Sequence, residues 1–148
     1  MTKNATNKSL LHFLLYFVLS LRFSLYYQNP RPWFEYNAED GLYYRFQKPS
    51  DGAHMDAATD SQLAFENVLI QFTYHEQRDE NGYLAFQCID TSKDGWLFTN
   101  GKGIHVNWKK TSDYGATRYY DDNGKEVQLN TGKTMICIEE LGYEIKRL

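Results

Sequence analysis

The chain has 148 residues and a formal net charge of -3, with 16 Lys and Arg against 19 Asp and Glu. This length is typical of one domain with its own hydrophobic core, and the acidic balance argues against a nucleic-acid ligand. With 42% hydrophobic residues, ten Gly and three Pro, the chain is neither disordered nor fibrous. The aromatic share of 16%, led by 12 Tyr and 9 Phe, favours β-structure, because aromatic side chains suit the half-buried surface of a sheet.

Residues 1–22 differ in composition from the rest of the chain. A polar start with Lys3 and Lys8 precedes an apolar run over residues 10–21, which is shorter than the about 20 apolar residues of a membrane span. This layout is typical of a secretory signal, but no small-residue cleavage site follows, and no Cys stands where a lipid anchor would attach. The other interpretation is an apolar helix, capped by Ser9, that packs on the domain.

From Phe23 onward, short strand-like segments alternate with turn signals. Residues 33–37 and 42–46 are aromatic segments on either side of Asp40-Gly41, which predicts a hairpin. Residues 48–61 have the composition of a loop.

Asn100-Gly101 is the strongest hairpin signal in the chain, because both residues tolerate the positive φ of a type I′ turn. The segment that follows alternates strictly between apolar and polar residues, which predicts a half-buried strand. The core-facing set is Ile104, Val106 and Trp108, and the set on the other face is His105, Asn107 and Lys109.

The remaining segments complete the predicted sheet. Residues 65–75 contain an apolar run that indicates a central strand buried on both faces. Residues 139–148 fit either a short helix or a frayed tail. The predicted fold is α+β and mostly β, with a mainly antiparallel sheet of successive hairpins, rolled or sandwiched, and an apolar amino-terminal helix. Residues 1–22 form the atypical segment and residues 23–148 the domain.

Every loop that looks suited to a metal or nucleotide fails its pattern at a required position. Gly132-Lys133-Thr134 lacks the Gly five positions earlier that a phosphate-binding loop needs, since Val127 stands there. The acidic clusters at residues 79–82 and 121–124 resemble calcium loops, but no Glu closes either of them. The sequence therefore predicts no cofactor and no tightly bound metal.

Two cysteines, Cys88 and Cys137, are too few for a disulfide framework and have no zinc-ligand spacing. Each lies in a predicted strand, where it is either a small buried hydrophobe or half of a single bridge in an exported protein.

One candidate site contains the histidine-bearing loop. His54 and Asp56 lie close together in residues 48–61, and such a pair can act as acid and base. With His75, these residues form the alternative site, that of a hydrolase or transferase. The competing interpretation is a solvated loop pair.

The other candidate site combines cations with aromatic rings and suits a binding function. Such a surface can hold an anionic polymer, a glycan or a partner protein. The competing interpretation is a core-facing Trp with lysines that protect an edge strand. The residues of this candidate binding surface are Trp108, Lys109, Lys110, Arg118, Tyr119 and Tyr120.

Several linked stretches share their order and spacing with a known family. They are residues 34–46, 62–71, 99–104, 108–110, 117–121, 124–127 and 129–134. Over residues 23–138 the chain resembles the C-terminal domain of the YerB-like bacterial lipoprotein family (domain-of-unknown-function family 3048). It departs from the family pattern at His105 and Met135, where proline and tryptophan are expected, and in an expanded loop around Ser50-Asp51.

The resemblance implies an extracytoplasmic protein of the bacterial cell envelope, with a larger domain ahead of this one, and it supplies no catalytic residues. Because no recognisable anchor Cys is found, membrane association is expected only through a missing or upstream anchor. We therefore expect a non-enzymatic binding or interaction module of the cell envelope. Its expected partner is an envelope polymer or a protein, and neither nucleic acid nor a transmembrane span is expected.

Overall fold

The computed structural model describes residues 18–19, 22–27, 31–47 and 52–147. Within these ranges all regular elements are β-strands. In chain order they are β1 (Val18–Leu19), β2 (Arg22–Ser24), β3 (Pro32–Asn37), β4 (Leu42–Gln47), β5 (Met55–Asp56), β6 (Ser61–Gln62), β7 (Ala64–Phe65), β8 (Asn67–Thr73), β9 (His75–Gln77), β10 (Leu84–Phe86), β11 (Asp90–Thr99), β12 (Lys102–Lys110), β13 (Arg118–Tyr120), β14 (Thr134–Glu140) and β15 (Lys146–Arg147).

Two sheets form the body of the described part of the chain. The large sheet has the order β1-β12-β11-β8-β14, and β13 pairs with the far end of β12. Its pairs are antiparallel except for β8 and β14, which run parallel over their whole length. The small sheet has the order β15-β2-β3-β4-β7 and is antiparallel. Two short hairpins, β5–β6 and β9–β10, lie beside them.

Aromatic side chains join the two sheets into one core. Phe23 of the small sheet stacks on Phe98 of the large sheet, with ring centroids 3.7 Å apart, and on Phe34, 5.2 Å away. The Tyr43 ring packs edge-on against Phe23. Rings of this size bury large apolar areas and favour stacked or edge-on contacts, so a sandwich results from the aromatic-rich sequence. The other buried members of this core are Leu25, Val68, Ile70, Phe72 and Cys137.

The opposite face of the large sheet carries a second cluster. Trp108, Val106 and Leu97 are almost fully buried there, and Val127 packs against them from the chain that follows β13. Strand β8 lies between the two clusters, and all of its residues are buried, which confirms the predicted central strand.

The predicted hairpin at Asn100-Gly101 is confirmed. Both residues have positive φ, 50° and 70°, as a type I′ turn requires. The predicted register is also confirmed, because Val106 and Trp108 are fully buried, whereas Lys109 is exposed.

The predicted amino-terminal helix is wrong. In the part of this segment that the structure describes, Val18 and Leu19 form a strand paired with Gly103 and Lys102. The edge of β12 offers unpaired backbone groups that an extended segment can satisfy. Residues 1–17, on which most of this prediction falls, lie outside the described residues.

Two further segments also differ from expectation. The carboxy-terminal segment is not helical, because Glu139–Glu140 end β14 and Lys146–Arg147 pair with β2. The predicted loop at residues 48–61 contains part of a small hairpin, in which Met55 pairs with Gln62. The fold is therefore all-β in the described residues rather than α+β.

A buried amide ties three segments together at the start of β8. The Asn67 amide nitrogen donates to the Asn130 carbonyl at 2.9 Å and to Thr134 Oγ1 at 3.2 Å. Its amide oxygen accepts hydrogen bonds from Thr99 Oγ1 at 2.9 Å and from the Asn130 N–H at 3.1 Å. One side chain thus connects β8, β11, β14 and the loop before β14.

We expect Asn67→Ala to lower the free energy of unfolding by about 2–4 kcal/mol, because it removes these hydrogen bonds and leaves buried partners unpaired. The control is Asn123→Ala, whose side chain is exposed in a turn and for which a change below about 0.5 kcal/mol is expected. Urea denaturation of both variants and the parent measures the difference. Equal stability of the two variants would contradict the structural role of Asn67.

Candidate functional site

Among the residues that the structure describes, one face of β11, β12 and β13 is only partly buried. Strand register brings side chains from these three strands together on this face, as Trp96 pairs with His105, Asn107 with Tyr120, and Lys109 with Arg118. None of these side chains is fully buried. We call this surface the shelf; it consists of Trp96, His105, Asn107, Lys109, Arg118 and Tyr120.

His105 is the most constrained polar residue of the shelf. Its Nδ1 lies 2.6 Å from Asp122 Oδ1, its Nε2 lies 3.6 Å from Asp94 Oδ1, and its ring meets Trp96 edge-on with centroids 5.5 Å apart. The two carboxylates and the indole fix the orientation of the imidazole. The proline expected from the family pattern at this position would carry no such group.

The charges on the shelf largely balance. Arg118 Nη1 donates to Glu126 Oε1 at 2.7 Å, and both side chains are about half exposed. Lys109 is exposed and has no ion-pair partner among the residues that the structure describes. The shelf therefore carries two cations, Lys109 and Arg118, together with the nearby carboxylates of Asp94, Asp122 and Glu126, which makes this a mixed surface rather than a strongly basic one.

The six residues of the predicted binding surface divide between the core and the shelf. Trp108 is fully buried and its Nε1 donates to the Phe72 carbonyl at 3.0 Å. Tyr119 is buried and its hydroxyl donates to Gln71 Oε1 at 3.0 Å, with burial raising the pKa of the phenol to about 12. Strand alternation places Lys110 on the same side as Trp108.

Lys109, Arg118 and Tyr120 are the members of that prediction that lie on the shelf. Their binding role stays a prediction.

The residues of the alternative site are engaged in separate local contacts. The His54 ring contacts the Arg45 guanidinium, and burial, with a smaller contribution from Arg45, lowers the pKa of the imidazole. The Asp56 carboxylate accepts hydrogen bonds from the Ala58 N–H at 3.0 Å and from Thr59 Oγ1 at 2.9 Å, which hold its pKa below the usual range. These contacts are those of a turn that closes the β5–β6 hairpin.

His75 belongs to a different part of the molecule. Its Nε2 lies 3.1 Å from Glu140 Oε2, and its ring packs near Phe86 of the β9–β10 hairpin. No hydrogen bond or ion pair joins it to His54 or Asp56 within the described ranges. The structure therefore does not assemble a His54–Asp56–His75 constellation.

A small cavity of about 280 Å³ lies beside the shelf, and we call it the cleft. It is lined by Phe72, Trp96, Tyr143, Glu144 and Ile145. The Tyr143 ring stacks on Tyr26 with centroids 4.2 Å apart, which holds the segment after β14 against the amino-terminal part of the domain.

A buried carboxylate lies near this stack. Glu139 is 2% exposed and pairs in register with Phe72. One of its oxygens accepts the Tyr26 N–H at 3.2 Å. Burial, with a smaller contribution from the charge of Glu140, raises the pKa of Glu139 to about 7.

Sequence reasoning missed Trp96, Tyr143 and Glu139 as site residues. One signal was present for Glu139, because it alternates in phase with Met135 and Cys137 and so shares their inward face. Nothing in the sequence indicates that Tyr143 lies near Trp96, since their proximity depends on how the last segment returns to the sheet.

The structure shows the state of the two cysteines and the arrangement of residues that can bind a metal ion. Cys88 and Cys137 are free, the first exposed and the second buried. In the described part of the chain, no group of three or more His, Cys, Asp or Glu side chains is placed to hold a metal ion. The same part contains no helix long and apolar enough to cross a membrane.

These observations define the described part of the chain as a two-layer all-β domain. Residues 21–136 match the family described as "Protein of unknown function (DUF3048) C-terminal domain", and the chain belongs to this family. The resemblance predicted from the sequence is confirmed.

A solved relative has the same fold. The crystal structure of the YerB protein from Bacillus subtilis is similar with a TM-score of 0.65 and 24% sequence identity. The similarity covers 79% of this chain and 39% of the YerB chain, so this chain spans about two fifths of the length of that protein. No curated protein matches the chain.

The buried Glu139 carboxyl generates a pH-dependent stability. Its pKa in the folded state, about 7, exceeds the ordinary value of 4.5, so the protonated form is favoured by folding and its contribution is lost as pH rises from about 4.5 through 7. Between pH 5 and pH 8, the free energy of unfolding of the parent should fall by about 2 kcal/mol more than that of Glu139→Gln. This value allows for partial solvent screening.

Urea denaturation at both pH values tests this expectation, with Glu80→Gln as the control because Glu80 is exposed in a turn. A Glu139→Gln profile parallel to that of the parent would show that Glu139 does not cause the pH dependence.

Proposed function

We propose that this chain is a non-enzymatic binding module of the bacterial cell envelope and that the shelf holds its ligand. The observation that carries the proposal is the face of β11, β12 and β13 that the described residues leave only partly buried, where Trp96 and Tyr120 stand among hydrogen-bonding side chains. Half-buried rings offer contact area at little entropic cost, and rigid strands hold them in place before a ligand arrives.

The geometry favours an extended ligand. Side chains on one face of a strand repeat about every 7 Å, and neighbouring strands are about 5 Å apart, so the shelf presents a flat grid rather than a pocket. A polymer that crosses several strands fits such a grid better than a compact small molecule.

The charge pattern favours a glycan over a polyanion. A surface that collects polyanions carries a net positive field, whereas Lys109 and Arg118 stand among the carboxylates of Asp94, Asp122 and Glu126. Mixed donors and acceptors beside aromatic rings suit a hydroxyl-rich polymer, whose sugar faces stack on rings and whose hydroxyls need both kinds of partner.

The envelope location is supported by the family. The sequence resembles a family of bacterial lipoproteins, and the solved relative comes from a bacterium. His54 and Asp56 give no support to hydrolase or transferase activity, because each is engaged in its own turn contacts.

Neighbouring lysines on β12 provide a matched test. We expect Lys109→Ala combined with Tyr120→Ala to weaken binding to purified bacterial cell-wall glycan about ten-fold, because both side chains lie on the shelf. Lys110→Ala, one position further along and on the opposite face, should bind as the parent does. Co-sedimentation at low and moderate salt measures this, and the affinity should change little with salt because the shelf charges balance.

Two results would reject the shelf as the binding surface. One is the absence of parent binding to cell-wall glycan. The other is equal weakening by the Lys110→Ala control. A steep loss of affinity with rising salt concentration would indicate that the ligand is a polyanion and not a neutral glycan.

A further inference from the structure

The cleft beside the shelf combines aromatic walls with acidic residues. Three of its five lining residues are aromatic, and they come from three separate segments: Phe72 from β8, Trp96 from β11 and Tyr143 from the chain after β14. The charged residue of the lining is Glu144, which is exposed. Aromatic faces carry negative charge density, so walls of this kind attract cations.

A further carboxylate acts on the aromatic wall of the cleft. Glu140 contributes most to raising the pKa of the Tyr143 hydroxyl, and Glu139 contributes further along with burial and Tyr26. Glu140 therefore acts on the aromatic wall from the β14 side, while Glu144 lies in the lining itself.

The aromatic stack at this place already holds one cation. The Arg31 guanidinium lies over the Tyr26 ring, 5.6 Å from its centroid, and Tyr26 in turn stacks on Tyr143. A cation–π contact is thus already present at the ring that stacks on Tyr143.

We propose that the cleft binds an organic ammonium group, with the cation between the rings of Trp96, Phe72 and Tyr143 and its charge opposed by Glu144. A volume of about 280 Å³ lies at the lower end of small-molecule pockets, so the cleft holds a head group rather than a whole ligand. This inference goes beyond the proposed function, because it concerns an acidic site for a cation and is tested with small molecules alone.

Charge is the property that the test isolates. Choline and its neutral isostere 3,3-dimethyl-1-butanol have nearly the same shape and differ in the positive charge. In a two-dimensional amide NMR titration of the whole chain, choline should shift the resonances of Phe72, of the Trp96 indole and of residues 143–145, with a millimolar dissociation constant. The isostere should bind at least about five-fold more weakly. Ethanolamine, as a third probe, separates primary from quaternary ammonium as the preferred source.

A conservative substitution at an exposed position tests the charge of the cleft without disturbing the fold. Glu144→Gln retains shape at an exposed position and should weaken choline binding about three- to ten-fold, whereas Glu80→Gln, an exposed carboxylate in a distant turn, should not change it. Tyr143→Ala should weaken choline binding further by removing one wall.

The inference is overturned if choline and its isostere bind equally, if Glu144→Gln binds as the parent does, or if no cleft resonance shifts up to about 100 mM choline and ethanolamine. None of these results bears on binding of cell-wall glycan to the shelf, so the two proposals fail separately.

Discussion

Strand β8 is buried on both faces and paired along both edges, antiparallel to β11 and parallel to β14. Its apolar side chains therefore need cover from two directions, and its polar side chains need partners inside the protein. The small sheet covers Val68 and Ile70, while Leu69 packs with the second cluster. Asn67 and Gln71 obtain hydrogen bonds from β11, β13 and the loop before β14. The small sheet and strands β11, β13 and β14 therefore lie where they bury the apolar side chains of β8 or bind its polar ones.

The small sheet, which covers β8, does not extend over the whole large sheet in the described residues. The two candidate sites lie on the part of the large sheet beyond it. The small sheet packs where Phe23 meets Phe98, at one end of β11. Further along β11 and β12, the same face stays only partly buried around Trp96 and His105 in the part of the chain that the structure describes. The segment after β14 returns along the border and adds the Tyr143 wall of the cleft. Both sites are consequences of two sheets of unequal extent.

Membership of the family shows the fold of this chain but not its function. Domains with one fold serve many functions, so the similarity to YerB carries the architecture alone. The described residues offer a flat mixed surface and a small acidic, aromatic cleft, and neither is a set of convergent catalytic groups. The binding role that we propose uses both features. The buried Glu139 carboxyl, held against Tyr26, belongs to the stability of this border rather than to a reaction.

Local patterns determined much of this fold. Alternation over residues 104–109 predicted which side chains face the core, and Asn100-Gly101 predicted the turn, because both signals depend on neighbouring residues alone. The apolar amino-terminal segment was predicted as a helix, yet the tertiary structure gives Val18–Leu19 a strand partner on β12. Likewise, Trp108 is fully buried whereas Trp96 is half-buried at the border of the core, although both lie in alternating strands. Only the packing of the second sheet decides which face is covered, since that contact joins residues far apart in the sequence.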